Sequence, residues 1–238
     1  MPAPTSERKP NFLALLAAVV LSVAGVAAIV ASFSLDAWTR EQVLAWQGKD
    51  WKKSPKREFV GAISKYGDWP ELMILGGAGL FLAHRARSRE WKRILIAAMV
   101  ASTIAGVVAN ASRLTTGRTR PRESPKIEQG WYGPFHDGKL TIGNSKFNSF
   151  PSGHTATAFG FAGVLLFARP WLGLLAVAVA STIAWSRMAL GAHHFSDVVV
   201  ALILSLLIAW LVWRYAVQRG DELAARVREK LSKRRPAT

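Results

Sequence analysis

"PSGHTATAFGFAGVLLFAR", Pro151 to Arg169, carries one histidine at its head and no formal charge until its last residue. From Thr155 to Ala168 the apolar residues fall on every face of the helix they imply, not on one stripe. Such a helix is buried, either in a large core or in a membrane. Five other charge-free blocks stand along the chain: Phe12–Phe33 (22 residues), Leu72–Ala83 (12), Ile94–Ala109 (16), Trp171–Trp185 (15) and Val198–Trp213 (16). A bilayer-crossing helix needs about 20 residues. Extended to flanking Trp, Arg or Asp residues, the shorter blocks approach that length. Trp69, Trp91, Trp171, Trp185, Trp210 and Trp213 stand near their ends, as an aromatic belt at headgroup level would.

The sequence therefore predicts an all-α, polytopic membrane protein with six transmembrane helices. The spans are placed at about 11–34, 69–85, 92–112, 152–169, 171–187 and 197–214. They form a single membrane-embedded domain over 1–238, ending in a basic cytoplasmic tail, 215–238. The first block exceeds the roughly 7–15 apolar residues of a signal peptide and reads as a span.

Six spans put both termini on one side. Segments 1–11, 84–93, 169–170 and the tail from Arg214 hold 16 Lys and Arg in 48 residues. The opposite segments, 34–71, 110–154 and 186–197, hold 15 in 95. Basic residues are denser in the first set, above all in "HRARSREWKR", His84 to Arg93. The expectation is that both termini are cytoplasmic and that the long loops face the exterior, the periplasm if the membrane is a bacterial inner membrane. This distribution accounts for the formal charge of +16 without a nucleic-acid partner. With no cysteine there is no disulfide framework and no thiolate metal site.

Three clusters of unusual residues fall on that same exterior face. They are "RLTTGRTRP" (Arg113 to Pro121), "PSGH" (Pro151 to His154) and "SRMALGAHHFSD" (Ser186 to Asp197). Arg113, Arg118, Arg120 and Arg187 supply permanent cations with forked donors. Ser152 and Gly153 open a helix whose free amides form a ready anion site. His193 and Asp197 are four apart, and on a helix they would share a face, the carboxylate fixing the imidazole tautomer. Together these residues describe a phosphate pocket with a nucleophile.

At this point the motifs resemble those of the type 2 phosphatidic acid phosphatase superfamily. That family's pattern is Lys-x6-Arg-Pro, then Pro-Ser-Gly-His, then Ser-Arg-x5-His-x3-Asp. Arg113 to Pro121 fits the first with Arg in place of Lys; the second and third are present unchanged. The resemblance implies metal-independent hydrolysis of a lipid phosphomonoester or pyrophosphate, with no cofactor. The candidate substrates are phosphatidic acid, phosphatidylglycerol phosphate, polyprenyl diphosphate and lipid A. It implies that His193 is the nucleophile, that Asp197 orients it, and that His154 is the general acid and then base. Arg113, Arg120 and Arg187, with Ser152 and Gly153, would hold phosphate, and Arg118 is a further candidate. His194 is set aside because only His193 stands four residues before Asp197. The partners implied are a membrane lipid phosphate and the bilayer. An anionic-lipid transporter or flippase without hydrolysis is the alternative. A serine protease built on Ser152 fits the arginines poorly, and a haloperoxidase fits the spans poorly. The loop 123–150, with His136, is expected to cover the headgroup site. Residues 36–66 are expected to hold a helix on the outer surface.

Overall fold

Serine, proline and glycine punctuate the chain where its helices begin and end. Ser54 accepts a hydrogen bond from the Lys56 amide (3.2 Å) and Pro55 follows it, starting α3, Pro55–Lys65. Ser88 accepts from the Trp91 amide (3.3 Å) and starts α5, Arg89–Thr116. Gly117 ends α5 at φ +56, where a Cβ would lie 2.0 Å from the Gly133 carbonyl oxygen. Only glycine meets both demands. The structure is a computed structural model that describes residues 12–220; the basic tail beyond Gly220 and the segment before Phe12 lie outside the described residues.

The described chain is mostly helical. The remaining helices are α1 (Phe12–Ser34), α2 (Asp36–Gln47), α4 (Trp69–Arg85), α6 (Gly153–Ala168), α7 (Pro170–Ala189) and α8 (Phe195–Val212), the last continuing as a π-helical segment, Trp213–Gln218. A two-residue hairpin, β1 (Phe135–His136) and β2 (Lys139–Leu140), lies in the loop between α5 and α6. The six expected spans correspond to α1, α4, α5, α6, α7 and α8. Four segments are long and apolar enough to cross a membrane: Leu15–Ser34, Arg89–Thr116, Pro170–Ala189 and Phe195–Gln218. α4 and α6, at 17 and 16 residues, are shorter.

The brevity of α6 has a packing reason. It is the centre of the bundle, enclosed by α5, α7 and α8, and Thr155 to Leu165 are all buried. Small residues permit the enclosure. Ala97, Ala101, Ala105 and Ala109 recur every four residues on α5 and are at most 2% exposed. Opposite them, a Cβ on Gly160 would meet the Ala101 carbonyl oxygen at 2.9 Å. Between apolar helices in lipid, such close van der Waals approach is a principal source of association. Two hydrogen bonds pin the register. The Ser102 hydroxyl donates to the Thr157 carbonyl (3.0 Å), and the Thr157 hydroxyl to the Gly67 carbonyl (2.6 Å).

The expected outer helix is α2, and it docks on the bundle. Trp46 meets Trp185 edge-on with centroids 4.9 Å apart, and Gln47 Nε2 donates to the Ala189 carbonyl (2.5 Å).

Candidate active site

All the residues that carry chemistry lie at one end of this bundle. Helix direction alternates, so the C-terminal ends of α1, α5 and α7 meet the N-terminal ends of α4, α6 and α8. Arg113, in the last turn of α5, donates from Nε to the Pro151 carbonyl (3.0 Å) and from Nη1 to Asn110 Oδ1 (2.9 Å). Its Nη2 is buried without a hydrogen-bond partner among the described residues. The guanidinium lies flat against Gly153, where a Cβ would be 2.7 Å from Nη2. Any side chain at 153 would push this cation away.

Arg120 and Arg187 repeat the arrangement. Arg120 Nη2 reaches the Asn148 carbonyl (3.4 Å), and Arg187 Nη1 donates to Ser64 Oγ (2.5 Å). The Nε of each is buried with no partner among the described residues. Burial pushes the Arg120 pKa down to about 10, with repulsion from Arg122 and Arg187 adding to it. It remains charged at neutral pH. These three guanidinium groups lie close enough to repel one another, each with a buried N–H that has no hydrogen-bond partner among the described residues, an arrangement suited to a tetrahedral anion. Ser152 caps α6, accepting from the Thr155 amide (3.4 Å) and hydroxyl (2.8 Å). Neither bond uses the Ser152 hydroxyl proton.

His193 is fixed differently from the expected way. It lies two residues before α8 rather than on it, so helical i, i+4 geometry does not bring it to Asp197. Its Nδ1 is 2.6 Å from the Ser149 carbonyl and 3.6 Å from Asp197 Oδ2. A carbonyl can only accept, so Nδ1 carries the proton and Nε2 keeps its lone pair. Asp197 steadies the set from behind, accepting from Ser149 Oγ (2.5 Å) and the His194 amide (2.8 Å). Burial pushes the His193 pKa down to about 3, Arg113 and Arg187 adding to the effect and Asp197 opposing it. The ring is neutral at physiological pH, the state a nucleophile requires. His194 turns aside, its Nε2 3.0 Å from the Thr119 carbonyl.

Arg118, the further phosphate candidate, is occupied elsewhere. It bonds Asp197 Oδ1 through Nη1 (2.5 Å) and Asp36 Oδ2 through Nη2 (2.6 Å). Trp131 and Phe33 lie 4.6 and 5.4 Å from its Cζ. It is the counter-ion of two carboxylates. Asp36 in turn accepts from the Ser196 amide (2.8 Å) and hydroxyl (2.7 Å), tying the start of α2 to the start of α8.

His154 is one residue into α6, and its Nε2 is 2.7 Å from Asp68 Oδ1. Asp68, just before α4, has its pKa raised by burial and by Glu71, with Arg187 and Lys65 opposing. Sequence reading missed Asp36, Ser64, Asp68 and Ser149. The available signal was position: Ser149 stands in a segment that carries two of the motifs, and Asp36, Ser64 and Asp68 stand in 34–71, which the sequence reading places on the same face.

The loop 123–150 is a wall to this site rather than a free flap. Arg120 N donates to the Lys146 carbonyl (2.9 Å), and Ser149 N to the Arg118 carbonyl (3.1 Å). The His136 ring packs at a tilt against Tyr132 and Phe147, centroids 4.1 and 5.2 Å away, and its Nε2 is 3.3 Å from Asp137, contacts that hold the hairpin.

Comparison with known proteins shows the family. A family model described as the PAP2 superfamily matches residues 91–221, more than half of the chain, and contains all three motifs. The lipid A 1-phosphatase of Rhizobium johnstonii is 34% identical over 137 residues, 55% of this chain and 53% of that protein. The lipid A 1-phosphatase of Porphyromonas gingivalis is 29% identical over 132 residues, 54% of this chain and 25% of that protein. A candidate undecaprenyl-diphosphatase of Escherichia coli is 33% identical over 104 residues, 42% of this chain and 49% of that protein. The chain spans about half the length of most of these relatives, and less of one. A crystal structure of a transmembrane PAP2-type phosphatidylglycerolphosphate phosphatase from Bacillus subtilis shares the fold. Its TM-score is 0.51 at 21% identity, over 86% of this chain and 95% of that one.

Proposed function

The chain belongs to the PAP2 superfamily, and from that premise we propose that it hydrolyses a phosphoryl group from a membrane lipid through a phosphohistidine. One observation carries the reading. His193 has Nδ1 committed to a carbonyl and Nε2 open, in the company of three arginines with unpartnered buried N–H groups.

His193 Nε2 attacks phosphorus, and a P–N bond forms as the bond to the lipid oxygen breaks. His154 gives that oxygen its proton. Water then attacks the phosphohistidine; His154 takes the water's proton, the P–N bond breaks, and inorganic phosphate leaves. Arg113, Arg120 and Arg187, with Ser152 and the Gly153 amide, hold the equatorial oxygens throughout. Phosphoryl transfer needs mainly positioning and charge stabilisation, which fixed guanidinium groups supply. Ser149 and Asp197 hold the His193 ring in its reactive tautomer.

The bilayer placement belongs to the same proposal: six crossings, both termini cytoplasmic, and the site at the exterior surface. α6 crosses as the enclosed centre of the bundle, so its 16 residues need not match the lipid thickness. The native chain lacks cysteine, so single cysteines at Gly138 and Ala86 report sidedness cleanly. An impermeant maleimide is expected to label the first in intact cells and the second only after permeabilisation.

The decisive assay is phosphate release from a panel of lipid mono- and diphosphates in EDTA, with vanadate as inhibitor. His193→Ala is expected to abolish release and His194→Ala to retain it. Strict dependence on magnesium, or an active His193→Ala beside a dead His194→Ala, would sink the mechanism. Lipid movement without phosphate release would identify a transporter instead.

A further inference from the structure

A cavity of about 800 Å³ opens beside the arginine cradle, with Arg187 in its wall. Six more basic side chains line it: Arg40, Lys49, Lys52, Lys53, Arg57 and Arg122. Only two acids do, Asp50 and Glu123, and Glu123 already pairs with Arg122 at 3.3 Å. Setting aside Arg187, which belongs to the cradle, six cations against two carboxylates leave a local excess of four positive charges. The cleaved phosphoryl group does not account for it, because Arg113, Arg120 and Arg187 already serve that group.

Three observations point to a ligand that enters with the substrate. The floor is Leu190, Gly191 and Ala192, which lead directly into His193. Gly191 adopts φ +63, and a Cβ there would lie 3.0 Å from Arg122 Cβ and 3.3 Å from Arg40 Nη1. The bare backbone thus lets both cations close on the floor, and Arg40 Nη1 is buried there without a partner among the described residues. The volume lies in the range of pockets for molecules of several hundred daltons and is far more than one phosphate fills. Trp51 offers one wall, with its ring edge-on to Trp46 at 5.4 Å, a flat surface of the kind that packs against a sugar ring. Most of the lining cations belong to residues 40–57, outside the segment 91–221 that matches the family.

We propose that this cavity is an anion subsite that takes a second phosphoryl group, carried on a sugar-sized part of the same lipid headgroup, while the cradle holds the phosphoryl group that is cleaved. The proposal rests on the lipid phosphatase reading above and specifies its substrate class.

The test compares two lipids in neutral detergent micelles. One is a glucosamine-disaccharide lipid phosphorylated at both ends; the other keeps only the phosphate to be cleaved. The variant is Lys52→Gln/Lys53→Gln/Arg122→Gln. For the native protein, kcat/KM is expected to favour the doubly phosphorylated lipid by about tenfold or more, equivalent to about 1.4 kcal/mol. In the variant the ratio is expected to fall to within about twofold, and a ratio is insensitive to the fraction of protein folded. A native ratio near one overturns the subsite while leaving the hydrolysis intact. So does a large ratio that the variant keeps. If inorganic phosphate or phosphatidylglycerol raises the singly phosphorylated lipid to the rate of the other, the anion is not part of the substrate and the proposal fails. If neither lipid releases phosphate, the phosphatase reading fails, and thermal stabilisation decides the subsite separately. Stronger protection by the doubly phosphorylated lipid, lost in the variant, keeps it; equal protection removes it.

Discussion

Arg118 is the residue whose replacement best separates a scaffold from a phosphate ligand. Its two terminal nitrogens are 2.5 and 2.6 Å from Asp197 and Asp36, all three side chains being largely buried. With charge centres about 4 Å apart and an effective dielectric of about 20, each attraction is worth about 4 kcal/mol before desolvation offsets much of it. Arg118→Met removes both and leaves two buried carboxylates facing each other. Hydrogen bonds from Ser149, Ser196 and the His194 amide still support those carboxylates. The expected loss is therefore about 3 kcal/mol, the low end for breaking a buried pair. The assay is unfolding in mixed dodecyl maltoside and sodium dodecyl sulfate micelles. Adding Asp36→Asn removes one of the two orphaned charges. The double variant is expected to be at least about 1 kcal/mol more stable than the sum of the single losses requires. Additive losses within about 0.5 kcal/mol, together with weakened vanadate binding in a well-folded Arg118→Met, would place Arg118 in the phosphate cradle and refute the argument.

Three further outcomes follow from the same geometry. Gly153→Ala is expected to leave stability nearly unchanged but to lower kcat/KM about 100-fold by displacing the Arg113 guanidinium, since misplacement of about 1 Å costs about that much; Arg113→Lys in that background is expected to recover part of the loss, and a fully active Gly153→Ala would contradict it. Asp68→Asn is expected to lower kcat at least about tenfold while moving KM less than threefold, because Asp68 holds the proton-bearing face of His154, and a change confined to KM would assign Asp68 to binding instead. Because the folded His193 pKa is held near 3 and an unfolded histidine titrates near 6.5, the unfolded chain binds the extra proton between those values. Stability is therefore expected to fall as pH drops from about 6.5 toward 3, and His193→Gln to flatten part of that slope; an unchanged slope between pH 7 and 5 would contradict the burial argument.

The bundle was legible because apolar blocks and their charged or tryptophan-rich ends are local signals. The sequence placed the second span at 69–85, the bounds of α4. It set α5 several residues short at each end, because Arg113 and the polar residues after Ala109 read as loop where the helix continues to Thr116. The three motifs were legible for a similar reason: arginine and histidine are conspicuous beside apolar helices. What the sequence could not apportion was which cation faces phosphate. Arg113, Arg118 and Arg120 stand within eight residues, and only their spatial neighbours distinguish them. Those neighbours, Asp36 for Arg118 and the Gly153 backbone for Arg113, lie 82 and 40 residues away in the chain, where no periodic pattern reaches. The second partner of His193 was out of reach for the same reason. The pattern offered Asp197, whereas the nearest acceptor is the main-chain carbonyl of Ser149, which no side-chain motif can announce.

The two halves of the chain contribute differently to the site. In the mechanism proposed above, the segment matching the family supplies the nucleophile, the acid and the cradle. The segment before it supplies what surrounds them: Asp36 behind Arg118, Ser64 on Arg187, Asp68 on His154, and the cations at 40–57. Each of the first three contacts touches a group of the second half without replacing it. Changes in the earlier segment would therefore alter which headgroup is held, and how firmly the histidines are poised, while the phosphoryl chemistry stays the same. That division allows one family to include relatives named for lipid A and, as a candidate, for an undecaprenyl diphosphate. It also locates the search for this chain's specificity in residues 36–66, away from the motifs by which its family is recognised.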